Sequence, residues 1–456
     1  MATGSIVVNV LDVGQGQGTF VEIYSTGGTL TNTLLFDLGS AKGSTTAGLP
    51  SINYIADKVA LMATPKIDYM SLSHKDRDHV NLLVKLITAI NLKIAPKELE
   101  IGMVRYGGVK EWYSNNLIKE LEKICPDVDS LSLRHTCYKP PSTWTPIWLK
   151  NDVYVYILLA NIPTDDVDVG AMDELGDDKP DSELANSVSI ISSIWWNNNQ
   201  FFINGDATFV TFQESNKIFK LVPNFQEPKM VTLPHHGSRK TTFGLSSSTE
   251  DASKEATAVV ETFAKKISAK TVTSSAEIFG SYHHPSYDVM TSFNKFADQV
   301  TNWYSDPNLD KNRHYVTAYL DNTMTNSKKA TLSGVYSSFE TTMNVYSTLY
   351  CVPDYVGGYL APPTNPVGSG TKFKKPQPVF SLGVQWGYTV NSAGKVTLAP
   401  KTNRAATLFN VAEVLRALGP PGKWVKNISP DDNGGTPVKA AIPAKSPVLR
   451  GLKSFR

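Results

Sequence analysis

Apolar positions in the first two hundred residues alternate more often than they recur at helical spacing, so the chain opens as a run of strands. SIVVNVLDV (5–13) is rich in β-branched residues, GQGQG (14–18) turns, and TFVEIYS (19–25) alternates as a second strand. NTLLFDLGS (32–40) makes a third, ending in Asp37 and Gly39. INYIADKVALMA (52–63) switches to helical periodicity, KIDYMSLS (66–73) reads as a short buried strand, and VNLLVKLITAI (80–90) as a helix. NSVSIISSIWW, the turn NNNQ and FFINGDAT predict a hairpin-like pair over 186–208. PKMVTLP (228–234) is another buried strand, a helix is expected around 249–266, and KTVTSS (270–275) opens a further strand before YHHP (282–285) and a helix.

Two stretches break these periods. Residues 165–183, DDVDVGAMDELGDDKPDSE, carry many acids and no apolar period, and read as an exposed loop or lid. Beyond about 330 the texture changes. APPTNPVGSGTKFKKPQP (361–378) reads as a linker. VFSLGVQWGYTV and KVTLAP flank a turn at Asn391–Gly394 as a β-hairpin, and NVAEVLRALG is a short helix capped at Gly419. The last 36 residues hold seven Lys/Arg and two Asp, a basic tail for docking a protein partner or contacting nucleic acid.

Composition narrows the picture. With 456 residues, two domains or one large domain with an extension are expected, and 41% hydrophobic with 19% charged residues is a globular composition. A formal charge of +2 supplies no whole-molecule field for nucleic acid or membrane. Three widely spaced cysteines (125, 137, 351) form no disulfide framework and fit a reducing, cytoplasmic setting. The N-terminus lacks the basic start of a signal peptide. The apolar run VYVYILLA (153–160) is far short of the ~20 residues a membrane span needs.

The candidate chemistry sits where strands give way to loops. SLSHKDRDHV (71–80) holds His74, Asp76, Asp78 and His79 within six positions. Asp206 follows the FFIN strand, His235 and His236 follow MVTLP, and His283 and His284 follow the TVTSS stretch. Such junctions combine a rigid platform with a loop's freedom to converge. Imidazole and carboxylate suit zinc, manganese or iron, and two such ions a few ångströms apart can clamp both oxygens of a displacement. In a tight loop His74 and Asp76 can face one ion while Asp78 and His79 swing to a second. A distant aspartate such as Asp206 is suited to bridge them, having two oxygens.

HKDRDH, FFINGDAT, LPHHGS and YHHPSYDVM, with LDVGQGQGTFVEI at the start, resemble in order the metallo-β-lactamase superfamily. More narrowly they resemble the hydrolase domain of the bacterial competence DNA-uptake protein (the ComEC-like branch), including its Asn-Ser-Val at Asn186–Val188. The resemblance spans roughly residues 4–320. It implies an αββα sandwich of mixed α/β class over residues 1–330, followed by a C-terminal extension over 331–456.

Carried over by position, it implies metal ligands at His74, Asp76, Asp78, His79, Asp206 and His284. Asp206 would bridge two divalent ions. Asp78 and the His235–His236 pair would join catalysis, each histidine as a ligand or a transition-state group. Asp37 would orient a ligand from outside the metal sphere. Independently of the resemblance, Arg239 and Lys240 stand beside the His-His-Gly loop, where they are expected to contact an anionic substrate or to form an ordinary solvated pair. Two positions depart from the pattern: Gln17 stands where the branch has an acid, and Asn81-Leu82 where it has Gly-Gly. The expected activity is a metal-dependent phosphodiesterase or nuclease acting on nucleic acid or nucleotides through a metal-bridged hydroxide. Hydrolysis of a lactone, thioester or amide uses the same site, and a degenerate hydrolase serving as a scaffold is the non-enzymatic reading.

Overall fold

The structure, a computed structural model, describes residues 2–11, 13, 16–41, 48–139, 143–162, 182–247, 250–275, 289, 292–293, 295–296, 314–317 and 384–400. His283, His284, the acidic stretch 165–181, the linker 361–378, the helix expected at 410–419 and the basic tail all lie outside the described residues.

Two large mixed sheets organise the chain. The first has eight strands in the order Val396–Pro400, Val384–Asn391, Thr3–Leu11, Gly18–Ser25, Leu30–Leu38, Tyr69–Leu72, Val104–Tyr106, Val128–Ser130. The second has seven, in the order Trp148–Lys150, Val153–Leu159, Ile191–Trp196, Asn199–Ile203, Glu227–Thr232, Thr271–Ser275, His314–Thr317. In each, an antiparallel meander gives way to parallel strands, and the parallel pairs point their C-terminal ends the same way.

Side-chain alternation sorts the layers. Val8, Val21, Ile23 and Leu34 of the first sheet and Val155, Ile157, Ile194 and Phe201 of the second are fully buried on the inner faces. Phe201 meets Tyr388 across the interior, ring centroids 5.8 Å apart. The outer face of the first sheet packs Phe20, Leu35, Met70 and Leu72 against helices Leu49–Ala60, Leu83–Ile94 and Leu117–Ile124. That of the second packs Leu158, Ile191, Phe202 and Val231 against helices Phe209–Phe219 and Lys254–Ile267. The result is a four-layer αββα sandwich, helices outside and sheets within, as the resemblance implies.

Local sequence explains the helices. Leu49–Ala60 buries Ile52, Ile55, Ala56 and Val59, spaced three and four apart, with Pro50 in its first turn. Ser253 accepts from Ala256 N to cap Lys254–Ile267, and Thr208 and Thr211 form a reciprocal cap on Phe209–Phe219.

Two expectations are corrected. The helix read over 80–90 is broken into Arg77–Val80 and Leu83–Ile94. At the break the Asn81 side chain accepts from Ser40 N (2.9 Å) and donates to Ser40 O (2.7 Å), while Leu82 N donates to Leu38 O. Asn186 and Ser187 do not open a strand; they close a short helix, Ser182–Ser187, and the strand begins at Ile191. The hairpin around Asn391–Gly394 forms as expected, and it is part of the first sheet: Val384–Asn391 pairs antiparallel with residues 5–11. Among the described residues no helix is long and apolar enough to cross a membrane.

Candidate metal centre

Four strand ends supply the site. Asp37 is the penultimate residue of Leu30–Leu38, and His74 to His79 follow Tyr69–Leu72. Asp206 lies three residues beyond Asn199–Ile203, and His235 and His236 occupy a 3-10 turn, Pro234–Gly237, just after Glu227–Thr232. The loops can meet because two of them carry glycine at the contact. A Cβ on Gly39 would lie 2.3 Å from Asp78 C, and one on Gly205, whose φ is +52°, would lie 2.7 Å from Ser73 Cβ. His235 and His236 both adopt the left-handed conformation, φ 44° and 53°. Non-glycine residues there carry strain of about 1–3 kcal/mol each, sustained where surrounding structure enforces it. Here His235 N donates to Gly205 O (3.0 Å) and Ser238 N to His235 O (2.8 Å).

The two oxygens of Asp206 face different partners. Oδ2 lies 3.6 Å from both His74 Nε2 and His235 Nε2. Oδ1 lies 2.9 Å from His79 Nε2 and 3.7 Å from His236 Nε2. Asp76 Oδ2 is 3.7 Å from His74 Nε2 and Asp78 Oδ2 is 3.2 Å from His236 Nε2. The site therefore has two sides: His74, Asp76 and His235 on one, His79, Asp78 and His236 on the other, with Asp206 between them. His74, His79, Asp206 and His236 are buried, while the His235 side chain keeps 22% of its exposure.

A ring of hydroxyl, amide and carboxylate groups outside this set orients the imidazoles. His79 Nδ1 lies 2.9 Å from Asp37 Oδ2, and Asp37 Oδ1 accepts from Ser73 N (2.7 Å). With its proton on Nδ1, His79 presents a bare Nε2 to the centre. Ser73 Oγ sits 3.0 Å from Nδ1 of both His74 and His79. Ser189 Oγ lies 3.2 Å from His74 Nδ1 and accepts from Asp206 N at 3.2 Å. Asn186 Nδ2 is 3.3 Å from His235 Nδ1. Ser73 and Ser189 are roles that motif reading missed; their signal was only adjacency to His74 and to the Asn-Ser-Val run.

Electrostatics follow from this crowding. Burial opposes ionisation of Asp206, yet His235, His79 and His236 outweigh it and hold the carboxyl well below its ordinary range. Burial likewise pulls His79 down, but Asp206 and Asp37 raise it well above the usual imidazole value. His236 is raised by Asp206 and Asp78 against its burial, whereas burial wins at His235 and keeps it low. Asp78 is lowered by His236 and His79 despite burial, and Asp76 by His74 and Lys75.

The residues present fit divalent cations. Within each of two groups, His74–His79–Asp206 and Asp78–His79–His236, the donor atoms lie within 4.8 Å of one another. His74 Nε2 is buried and makes no hydrogen bond, a donor that a cation would satisfy and an apolar interior would not tolerate cheaply. Of the other expected residues, Arg239 is 8% exposed and donates to Asp251 Oδ1 (3.1 Å), while Lys240 is exposed at the start of helix Arg239–Phe243. The departure at Gln17 is accommodated by the backbone, and that at Asn81 by its side-chain amide on Ser40. Gln17 N donates to Asp78 O (2.9 Å) and Gln17 O accepts from Gly39 N, so the main chain there braces the loop whatever the side chain.

No family model and no curated protein sequence matches the chain. Among solved structures it is similar to the metallo-β-lactamase fold protein YhfI from Bacillus subtilis: 14% identity over 64% of this chain and 94% of that one, TM-score 0.35. It is also similar to a long form RNase Z from yeast, at 11% identity, 69% and 40% coverage and TM-score 0.32. A third is CmlA, a diiron β-hydroxylase from Streptomyces venezuelae, at 13% identity, 65% and 48% coverage and TM-score 0.29. The chain thus spans less than half the length of the latter two.

Proposed function

We propose that the protein is a metal-dependent phosphodiesterase of the ComEC-like branch, acting on nucleic acid or nucleotides. The observation that carries this reading is the division of Asp206 between two sets of His and Asp donors. His74, Asp76 and Asp206 would hold one divalent ion, and Asp78, His79, His236 and Asp206 the other. A bound pair of such ions lowers the pKa of water and neutralises charge on phosphoryl oxygens.

The chain's residues do the rest. Asp37 and Ser73 fix the ring orientation of His79, so that its Nε2 remains an acceptor. His235 reaches the surface, and burial keeps its imidazole neutral at neutral pH. Asn186 Nδ2 facing its Nδ1 leaves the proton on Nε2, which donates a hydrogen bond to the charge building on the departing oxygen and keeps its proton. Lys75, which lies 3.1 Å from Asp76 Oδ1, and the exposed Lys240 place positive charge on the two ligand-bearing loops, which favours an anionic substrate.

Hydrolysis of bis(p-nitrophenyl) phosphate with added Mn²⁺ or Zn²⁺ tests the reading, followed by DNA, RNA and cyclic nucleotides. Turnover that falls at least about 100-fold in Asp206→Ala supports it. Turnover of lactones or thioesters with none of any phosphodiester refutes it.

A further inference from the structure

The strand Asn199–Ile203 runs from the turn at Asn197–Asn198 towards Asp206, so that turn lies about 20 Å from the metal centre, at the other end of the sandwich. A cavity of about 500 Å³ opens there, lined among others by Asp152, Tyr154, Tyr156, Trp195, Asn198 and Gln226. Its volume is in the range of small-molecule sites.

The sequence builds its floor by strand alternation. Val153, Val155 and Ile157 turn inward and are fully buried, which leaves Tyr154 and Tyr156 on the outer face. Tyr154 pairs in register with Trp195 of the neighbouring strand. The rings of Tyr154 and Tyr156 lie 10° from parallel with centroids 6.0 Å apart, and Tyr156 and Trp195 are 4.7 Å apart. Tyr154 and Trp195 keep part of their surface exposed. Gln200 stands opposite Trp195 in the register; it is fully buried, and neither of its amide atoms has a hydrogen-bond partner among the described residues. The rim supplies the amides of Asn198 and Gln226, both exposed, and the exposed carboxylate of Asp152. Among the described residues no lysine or arginine lines the cavity.

We propose that this aromatic cavity is a second binding site, for a neutral saccharide. The C–H face of a pyranose is weakly positive and packs on the negative face of an aromatic ring. Ring hydroxyls donate to the carboxylate and exchange hydrogen bonds with side-chain amides. Among the described lining residues a phosphate-bearing ligand finds no cation and meets Asp152 instead. The site is separate from the metal centre and does not depend on which ester that centre hydrolyses.

The test is a fluorescence titration of the full chain with cellohexaose, maltohexaose and chitohexaose, following tryptophan emission. At least one sugar gives a saturable change with half-saturation below about 1 mM. Trp195→Ala weakens it tenfold or more, as does the double variant Asn198→Ala/Gln226→Ala, whose exposed side chains leave the core intact. Uptake of Mn²⁺ at the metal centre is unchanged in both. The proposal is overturned by no saturable change with any of the three sugars, by equal affinity in wild type and both variants, or by a response to hexathymidylate in place of the sugars.

Discussion

Asp206 is the residue on which the centre turns, because its two oxygens serve two donor sets; the residues behind it determine how well they serve. Asp37 touches no part of the centre except through His79 Nδ1 and Ser73 N. Asp37→Ala frees the His79 ring, and metal affinity is expected to fall about 10–100-fold with the fold retained, read by metal titration and circular dichroism. The pH dependence of the metal-free protein has two arms. Asp206, Asp78 and Asp76 are held below their unfolded value, so their stabilisation is present above about pH 3.9 and is lost as pH falls. His79 and His236 are held above theirs, so their stabilisation is full below about pH 6.5 and is lost as pH rises through the folded values. Asp206 and Asp37 favour the extra proton on His79, so metal loading competes with it. Calorimetric titration in buffers of different ionisation enthalpy should show about one proton or more released per chain; no buffer dependence would contradict this.

Residues of this kind were unequally legible. His74, Asp76, Asp78, His79 and Asp206 stand out because imidazoles and carboxylates at strand ends have little structural reason to cluster. Ser73 and Ser189 do not, since serine before a loop is commonplace and only the folded geometry shows an Oγ between two imidazoles. Which of His235 and His236 joins Asp78 depends on two left-handed residues that no spacing rule encodes.

At the scale of elements, the loops converge through close main-chain contacts. Gly39→Ala would drive a Cβ into the backbone of Asp78. It should destabilise the protein by about 1–3 kcal/mol and weaken metal binding at the same time, both read from thermal melts with and without Mn²⁺. Phe201→Ala acts on packing alone. It empties the contact with Tyr388 between the sheets and should cost about 3–5 kcal/mol, measured by denaturant unfolding, with no change in metal stoichiometry in the folded fraction. Strands and helices with clean periodicity, such as Leu49–Ala60, were readable from sequence. The break at Asn81 was not, because it arises from side-chain bonds to Ser40, forty-one residues away, and the Ser182–Ser187 helix straddles what reads as the end of an exposed acidic loop and the start of a strand.

At the scale of the molecule, the sandwich was legible as a class from its alternating strands and ordered motifs, while the place of the hairpin was not. Val384–Asn391 covers the edge of Thr3–Leu11, and Tyr388 and Val390 are buried there. A chain ending at residue 383 would leave that edge unpaired, and it should melt lower and associate on size exclusion, whereas a wild-type melting profile would show that the hairpin is dispensable. The central claim, a two-ion centre bridged by one carboxylate, is tested most directly by counting metal. Isothermal titration of the metal-free protein with Mn²⁺ or Zn²⁺ should give two equivalents per chain in wild type and one or none in Asp206→Ala, with the circular dichroism spectrum preserved. Wild-type binding of no more than one ion, or two ions retained in Asp206→Ala, would contradict it.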